Sequence, residues 1–312
     1  MGKTAEVVKL TTLGSRTREK YSDGDAVEDY LLELFRRGLT DSQRRQILAD
    51  QPSWPIRYHL AYERGNLLSW YPFNDDAAVL EVGAGCGSIT EVLVANKTLR
   101  VTSNELSPRR AKINALRNKG AKNLEIIIGN LFDYKPAEKF DYVVCVGVFE
   151  YAKSFIETAN PYYDFLVTLR QFLKPGGTLL LAIENQLGMK YLAGAREDHT
   201  GNYMDGINDY PGAKGVRTFG RHELIKLLEA TGYGSTYFYY PFPDYKLPRE
   251  VFSDDYYPGK DGVSLSGASL PTPSPETSRH YVFSEKNLMR VLERNGLFPS
   301  LANSFLVEVL NG

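Results

Sequence analysis

The sequence predicts an α/β protein built on a doubly wound, largely parallel sheet, and three observations predict it. Apolar runs of strand length alternate with segments of helical period from residue 77 to residue 183. The first of these runs delivers Gly83-Ala84-Gly85-Cys86-Gly87 to a helix start at Ser88, and acid or amide side chains stand where later strands end: Glu105, Asn130 and Glu150. Strands that alternate with helices need crossover connections, which cover both faces of a parallel sheet.

Residues 1–50 read as an N-terminal helical segment. Asp25 can cap a helix over 26–37 that Gly38 stops, and Thr40 or Asp41 can cap a second through 49. Residues 51–76 read as a cap over a ligand pocket, because Leu60, Arg64, Leu67 and Leu68 keep a helical period between aromatic brackets. Residues 77–312 form the main domain. Strands are expected at 77–82, 100–103, 124–128, 142–146 and 178–183, with helices at 88–95, 108–119 and 162–173, and the turn Lys174-Pro175-Gly176-Gly177 precedes the fifth strand. A loop-rich insertion of about 186–219, a helix over 221–231, a strand over 235–240, a Pro/Ser-rich insertion of about 243–283, a helix over 284–295 and a strand over 305–310 follow. The expectation is therefore seven strands with insertions after the fifth and sixth, and no internal repeat.

Composition narrows the function classes. The 312 residues carry 37 Lys+Arg against 38 Asp+Glu, a net charge of -1, so no global positive field holds a phosphate backbone and a nucleic-acid partner is not expected. Two cysteines, Cys86 and Cys145, fit a reducing compartment and exclude a disulfide framework or a cysteine-rich metal site; no metal is expected. No signal-peptide stretch and no membrane-length apolar run are present, which predicts a cytoplasmic location.

The run Val79-Leu80-Glu81-Val82 before the glycines marks a nucleotide-type pocket. It departs from a dinucleotide fingerprint, which calls for glycine where Ser88 stands and has no carboxylate at Glu81. A negative charge there repels a pyrophosphate and suits a cationic ligand. Glu105, at the end of the second strand, is placed to accept from both hydroxyls of a ribose, and Asn130 to meet an adenine edge.

The stretches VLEVGAGCGSIT, TSNELS, IIGNLFD, FDYVVCVGVFEYA and LKPGGTLLLAIE, in this order over about 77–184, resemble the class I S-adenosylmethionine-dependent methyltransferases. The resemblance implies a Rossmann-like seven-stranded methyltransferase sheet with S-adenosyl-L-methionine as cofactor. It implies cofactor contacts from Glu81, Gly83, Ala84, Gly85 and Gly87, ribose contact from Glu105 beside Leu106, and adenine contact from Asn130 beside Leu131. Val148 and Tyr58 join that set. Longer stretches, WPIRYHLAYERGNLLSWYPF, IENQLGMKYLAGAREDHTG, YYPFPDYKLPREVFSDDYYP and LFPSLANSFLVEV, are similar to a bacterial methyltransferase group associated with cell-surface polysaccharide assembly. This implies a glycan acceptor and a fused or associated glycosyltransferase partner. The end at Leu310-Asn311-Gly312 suits either a module of a longer protein or a natural terminus.

Methyl transfer from a sulfonium is an in-line displacement, and a hydroxyl acceptor must also lose its proton to a base. Of the four histidines, His222 and His280 read as solvent-facing. His199, beside Asp198 on the long loop after the fifth strand, is the first candidate base, against a loop-stapling hydrogen bond; His59 in the cap is the second, against a cap-to-core hydrogen bond. Glu150 and Tyr151 follow the fourth strand, where Tyr151 can donate to a substrate oxygen or pack in the core. Glu184 and Asn185 end the fifth strand. Ten of the 21 Tyr lie between Tyr191 and Tyr257 among several Asp residues, which suits a sugar acceptor or an aromatic core. Asn160-Pro161-Tyr162-Tyr163 is read as a helix start, not as a nitrogen-methylating signature. The expected function is O-methylation of a sugar or glycan precursor. The alternatives are methylation of a small natural product or a nitrogen acceptor, a non-catalytic binding module on the same fold, and a nicotinamide-dependent oxidoreductase.

Overall fold

The computed structural model describes residues 8–14, 24–50, 52–212, 215–263 and 279–312. They form a mixed sheet in the order β1-β4-β3-β2-β5-β6-β9-β7-β8. The strands are β1 (Lys9–Thr12), β2 (Ala78–Val82), β3 (Arg100–Glu105), β4 (Leu124–Ile128), β5 (Phe140–Val146), β6 (Leu173–Glu184), β7 (Thr236–Phe242), β8 (Glu250–Ser253) and β9 (Ser304–Leu310). The helices are α1 (Asp25–Arg37), α2 (Asp41–Ala49), α3 (Trp54–Leu60), α4 (Ser88–Ala95), α5 (Pro108–Arg117), α6 (Ala152–Phe155), α7 (Pro161–Phe172), α8 (Met189–Leu192), α9 (Arg221–Ala230), α10 (Glu285–Asn295) and α11 (Phe298–Leu301). The expectation of seven strands is corrected to nine. The two additional strands, β1 and β8, have four residues each, too short and too polar to show an alternating pattern. Contacts divide the chain into two compact units, Met1–Cys145 with Gln171–Gly177, and Val146–Arg170 with Thr178–Gly312.

In the first unit β2 lies parallel to both β3 and β5, β4 lies parallel to β3, and β1 to β4. Covered on both faces, β2 buries Val79, Leu80 and Val82, and Glu81 is the one charged residue of the strand. Thr40 caps α2 in a reciprocal box with Gln43. Asp25, expected to cap α1, is instead its first residue; Gly24 holds the cap position and the Asp25 carboxylate accepts from Arg109 Nη1 at 2.8 Å. An acid in the first turn still faces the positive end of the helix dipole. Leu31 and Phe35 of α1 and Ile56 and Leu60 of α3 form one apolar cluster with Cys86 of the glycine loop and Ile113 of α5. Each such side chain contributes roughly 1.5–3 kcal/mol on burial, which outweighs the intrinsic propensity of a seven-residue helix.

In the second unit β9 lies antiparallel to β6 and to β7, and β8 antiparallel to β7. Phe305, Leu306 and Val307 are fully buried. Phe238, Tyr240 and Phe298 meet Phe305 or one another edge to face, so part of the tyrosine-rich stretch is aromatic core. No helix among the described residues is long and apolar enough to cross a membrane.

Candidate functional site

The first unit holds the glycine loop between β2 and α4. Gly83, Gly85 and Gly87 all take positive φ (67°, 54° and 82°), and the Ala84 N–H donates to the Asn104 carbonyl at 3.0 Å, tying the loop to β3. Glu105, at the end of β3, accepts from the Gly85 N–H at 2.7 Å with Oε2 and from the Ser107 N–H at 2.8 Å with Oε1. Burial pushes its pKa up, although those backbone donors and Arg110 favour the charged form. Glu81 is buried below the loop, where its Oε2 accepts from Thr90 Oγ1 and from Ser103 Oγ, both at 2.6 Å. Burial pushes Glu81 up to about 7 against those two hydrogen bonds. A cation close to this carboxylate would favour its ionised form.

Asn130 follows β4, whose Ile128 is in register with Glu105. Its Oδ1 accepts from the Phe132 N–H at 3.1 Å, and Leu131 beside it is buried. The structure thus gathers Glu81, Gly83, Ala84, Gly85, Gly87, Glu105, Leu106, Asn130 and Leu131 at the ends of adjacent strands. Tyr58 lies in α3 beneath the Arg64 guanidinium, 4.3 Å from its ring centre. His59, also of α3, is buried, and its carbonyl accepts from Arg117 Nη1 at 2.8 Å. Val148 is half-buried and belongs to the second unit.

The second unit gathers Glu150, Tyr151, Glu184 and His199. Nδ1 of His199 is 2.8 Å from Glu197 Oε1, and Nε2 is 3.7 Å from both Glu150 Oε1 and Glu184 Oε2. The Tyr151 ring meets the imidazole edge-on, with centroids 5.3 Å apart. Glu197 Oε2 accepts the N–H groups of His199 and Thr200, each at 2.7 Å, which fixes the turn carrying the imidazole. The carboxylate that orients His199 is therefore Glu197. The adjacent Asp198 instead accepts from Lys190 at 2.6 Å and Lys246 at 2.8 Å. Lys190 also pairs with Asp244 at 2.6 Å, Lys246 with Glu184, and Tyr245 donates to Glu184 Oε1 at 3.2 Å.

These contacts polarise the group. Burial alone would lower the His199 pKa, yet the carboxylates of Glu184, Glu150 and Glu197 hold it well above the usual imidazole value. Burial raises Glu150, and the neighbouring Glu184 charge adds to that against His199. Burial would raise Glu184 too, but Lys246 and His199 hold it below the usual carboxylate value. Lys190 and Lys246 are held above the usual ammonium value against burial, chiefly by Asp198. A buried carboxylate with a raised pKa beside an imidazole can take up and return a proton.

Residues 80–179 match the family model described as a methyltransferase domain, a stretch with the glycine loop, Glu105, Asn130 and Glu150 but not Glu184 or His199. No curated protein matches the sequence. Among solved structures, a SAM-dependent methyltransferase of Thermotoga maritima is 15% identical, over 90% of this chain and 100% of that one, with a TM-score of 0.45. Phosphoethanolamine N-methyltransferase 2 of Haemonchus contortus, solved with phosphomonomethylethanolamine and S-adenosylhomocysteine, is 13% identical over 93% of this chain and 60% of that one, with a TM-score of 0.47. A SAM-dependent methyltransferase of Archaeoglobus fulgidus is 14% identical over 90% of this chain and 99% of that one, with a TM-score of 0.43. Likeness of this degree says nothing of the acceptor. The match over residues 80–179 is to a methyltransferase domain, the class of domain whose cofactor is S-adenosylmethionine.

Proposed function

We propose that the protein is an S-adenosylmethionine-dependent O-methyltransferase whose acceptor is a hydroxyl of a sugar or glycan precursor. The observation that carries this reading is the buried imidazole of His199 held 3.7 Å from each of two carboxylates, those of Glu150 and Glu184. When bound, S-adenosylmethionine supplies an electrophilic methyl group. Glu81, the glycine loop, Glu105 and Asn130 are the residues assigned to hold it. An alcohol oxygen becomes a strong nucleophile as its proton leaves, and Glu150, beside His199, is the group assigned to draw that proton off. Glu197 fixes the imidazole, and the Tyr151 ring covers one edge of it. Tyr203 and Tyr256, both exposed in the tyrosine-rich stretch, have one face against Arg196 and Phe252 respectively, and the other face of each suits a sugar ring.

Cys86 and Cys145 are buried and form no disulfide, and we place the reaction in the cytoplasm alongside a glycosyltransferase of surface-polysaccharide assembly. The test is incubation with S-adenosylmethionine and a panel of nucleotide sugars and glycans, read as a mass increase of one methyl per acceptor. The Glu150→Gln variant is expected to keep S-adenosylhomocysteine affinity and lose roughly 10²–10⁴-fold in turnover. Methylation on nitrogen would remove the hydroxyl assignment, and undiminished turnover of Glu150→Gln would remove Glu150 from the chemistry.

A further inference from the structure

We propose that Glu150, Glu184 and His199 are the protein ligands of one divalent transition-metal ion. Each offers one ligand atom, and the three atoms lie within 4.8 Å of one another. The Glu150 and Glu184 side chains are 2% and 0% exposed and that of His199 5%. Glu150 Oε2 and Glu184 Oε2 are buried and have no hydrogen-bond donor. A buried carboxylate oxygen without a donor is costly unless a cation meets it. Ligand atoms about 2.0–2.2 Å from an ion, at tetrahedral or wider angles, stand roughly 3.3 to 3.8 Å apart, and Nε2 is 3.7 Å from a carboxylate oxygen on each side.

Two further observations support the ion. Glu197 takes His199 Nδ1 at 2.8 Å, the outer hydrogen bond that fixes a metal-binding imidazole and presents its other nitrogen. The surrounding charge is also unbalanced. Glu150, Glu184, Glu197, Asp198 and Asp244 face Lys190, Lys246 and His199; the lysines reach Glu184, Asp198 and Asp244, only the imidazole faces Glu150 and Glu197, and the acids outnumber the cationic groups even with that imidazole charged. A mixed imidazole and carboxylate set, with no thiolate, suits Zn²⁺ through its nitrogen and Mn²⁺ through its oxygens better than Ca²⁺ or Cu⁺. Three protein ligands leave coordination positions for oxygen atoms of an acceptor. That last role rests on the methyltransferase reading, whereas the ion site does not; a bound ion would occupy the lone pairs of Glu150 and His199 and would itself lower the pKa of the acceptor hydroxyl in place of proton transfer to Glu150.

The test is a titration of metal-stripped protein with Mn²⁺, read by loss of the free-ion paramagnetic signal, and with Zn²⁺ by calorimetry. One ion per chain is expected, with protons released on Zn²⁺ binding. Glu150→Gln and His199→Gln should each weaken binding more than 100-fold, and Glu197→Gln, a positioning residue, about 10–100-fold. S-adenosylhomocysteine binding, measured on every sample, reports that the fold survives. Two outcomes would overturn the site: no saturable Mn²⁺ or Zn²⁺ binding by wild type that binds S-adenosylhomocysteine, or binding indifferent to Glu150→Gln and His199→Gln. Ion binding without S-adenosylhomocysteine binding in wild type of native circular dichroism would sustain the ion and sink the methyltransferase reading.

Discussion

Glu81 shows what burying one acid costs. Its folded pKa of about 7 lies above the unfolded value near 4.5, so its stabilising contribution is fully present below about 4.5 and is lost as pH rises through about 7. The gap corresponds to about 3 kcal/mol at pH 8. Glu81→Gln keeps an acceptor oxygen for Thr90 and Ser103 and removes the ionisation. Thermal melts should therefore place Glu81→Gln above wild type at pH 8 and level with it at pH 4.5; equal shifts at both would show that the charge is not the cause. Glu105 differs, since both oxygens already bind backbone N–H groups and keep lone pairs for two further donors. Glu105→Ala is expected to cost about 2 kcal/mol or more in S-adenosylhomocysteine affinity by calorimetry. An affinity within twofold of wild type would take Glu105 out of the site.

At the scale of elements, the glycine loop is where strand, turn and helix must agree. A Cβ on Gly87 would strike the Asn114 side chain of α5, whereas a Cβ on Gly85 meets no protein atom within 4 Å. Both positions have positive φ, so alanine pays a similar conformational cost of about 1 kcal/mol at each. Gly87→Ala should then be at least 2 kcal/mol less stable than Gly85→Ala in denaturant titrations, because overpacking adds to its strain. Equal losses would mean that Asn114 swings aside. The central elements were legible because each joins a strong period to a punctuating residue: β2 runs into Gly83, and α7 opens at Pro161. β1 was not, because four residues with two threonines carry no period, and their place is fixed by pairing with β4. α1 was legible in extent but not in its cap, since Gly24 supplies backbone conformation where a side-chain acceptor was expected.

Across the whole molecule, a net charge of -1 conceals a buried concentration of acid in the second unit. Glu150, Glu184, Tyr151 and His199 were readable as positions following strands. Their charged surroundings were not, because Lys246 comes from a distant segment, and an isolated lysine such as Lys190 reads as a solvated side chain. In the first unit β2, the glycine loop and β3 were readable, because strand, glycine loop and the following acid lie in one stretch of chain. That difference makes ligand choice the property best suited to a test on the whole protein. Glu81 below the loop, and serine where a dinucleotide fingerprint has glycine at Ser88, both disfavour a pyrophosphate. S-adenosylhomocysteine at 100 times its dissociation constant should stabilise the folded chain by about 2.7 kcal/mol and raise its melting midpoint, whereas NAD at the same concentration should leave the midpoint unchanged. A rise with NAD that S-adenosylhomocysteine does not compete away would assign the loop to a dinucleotide and return the oxidoreductase reading.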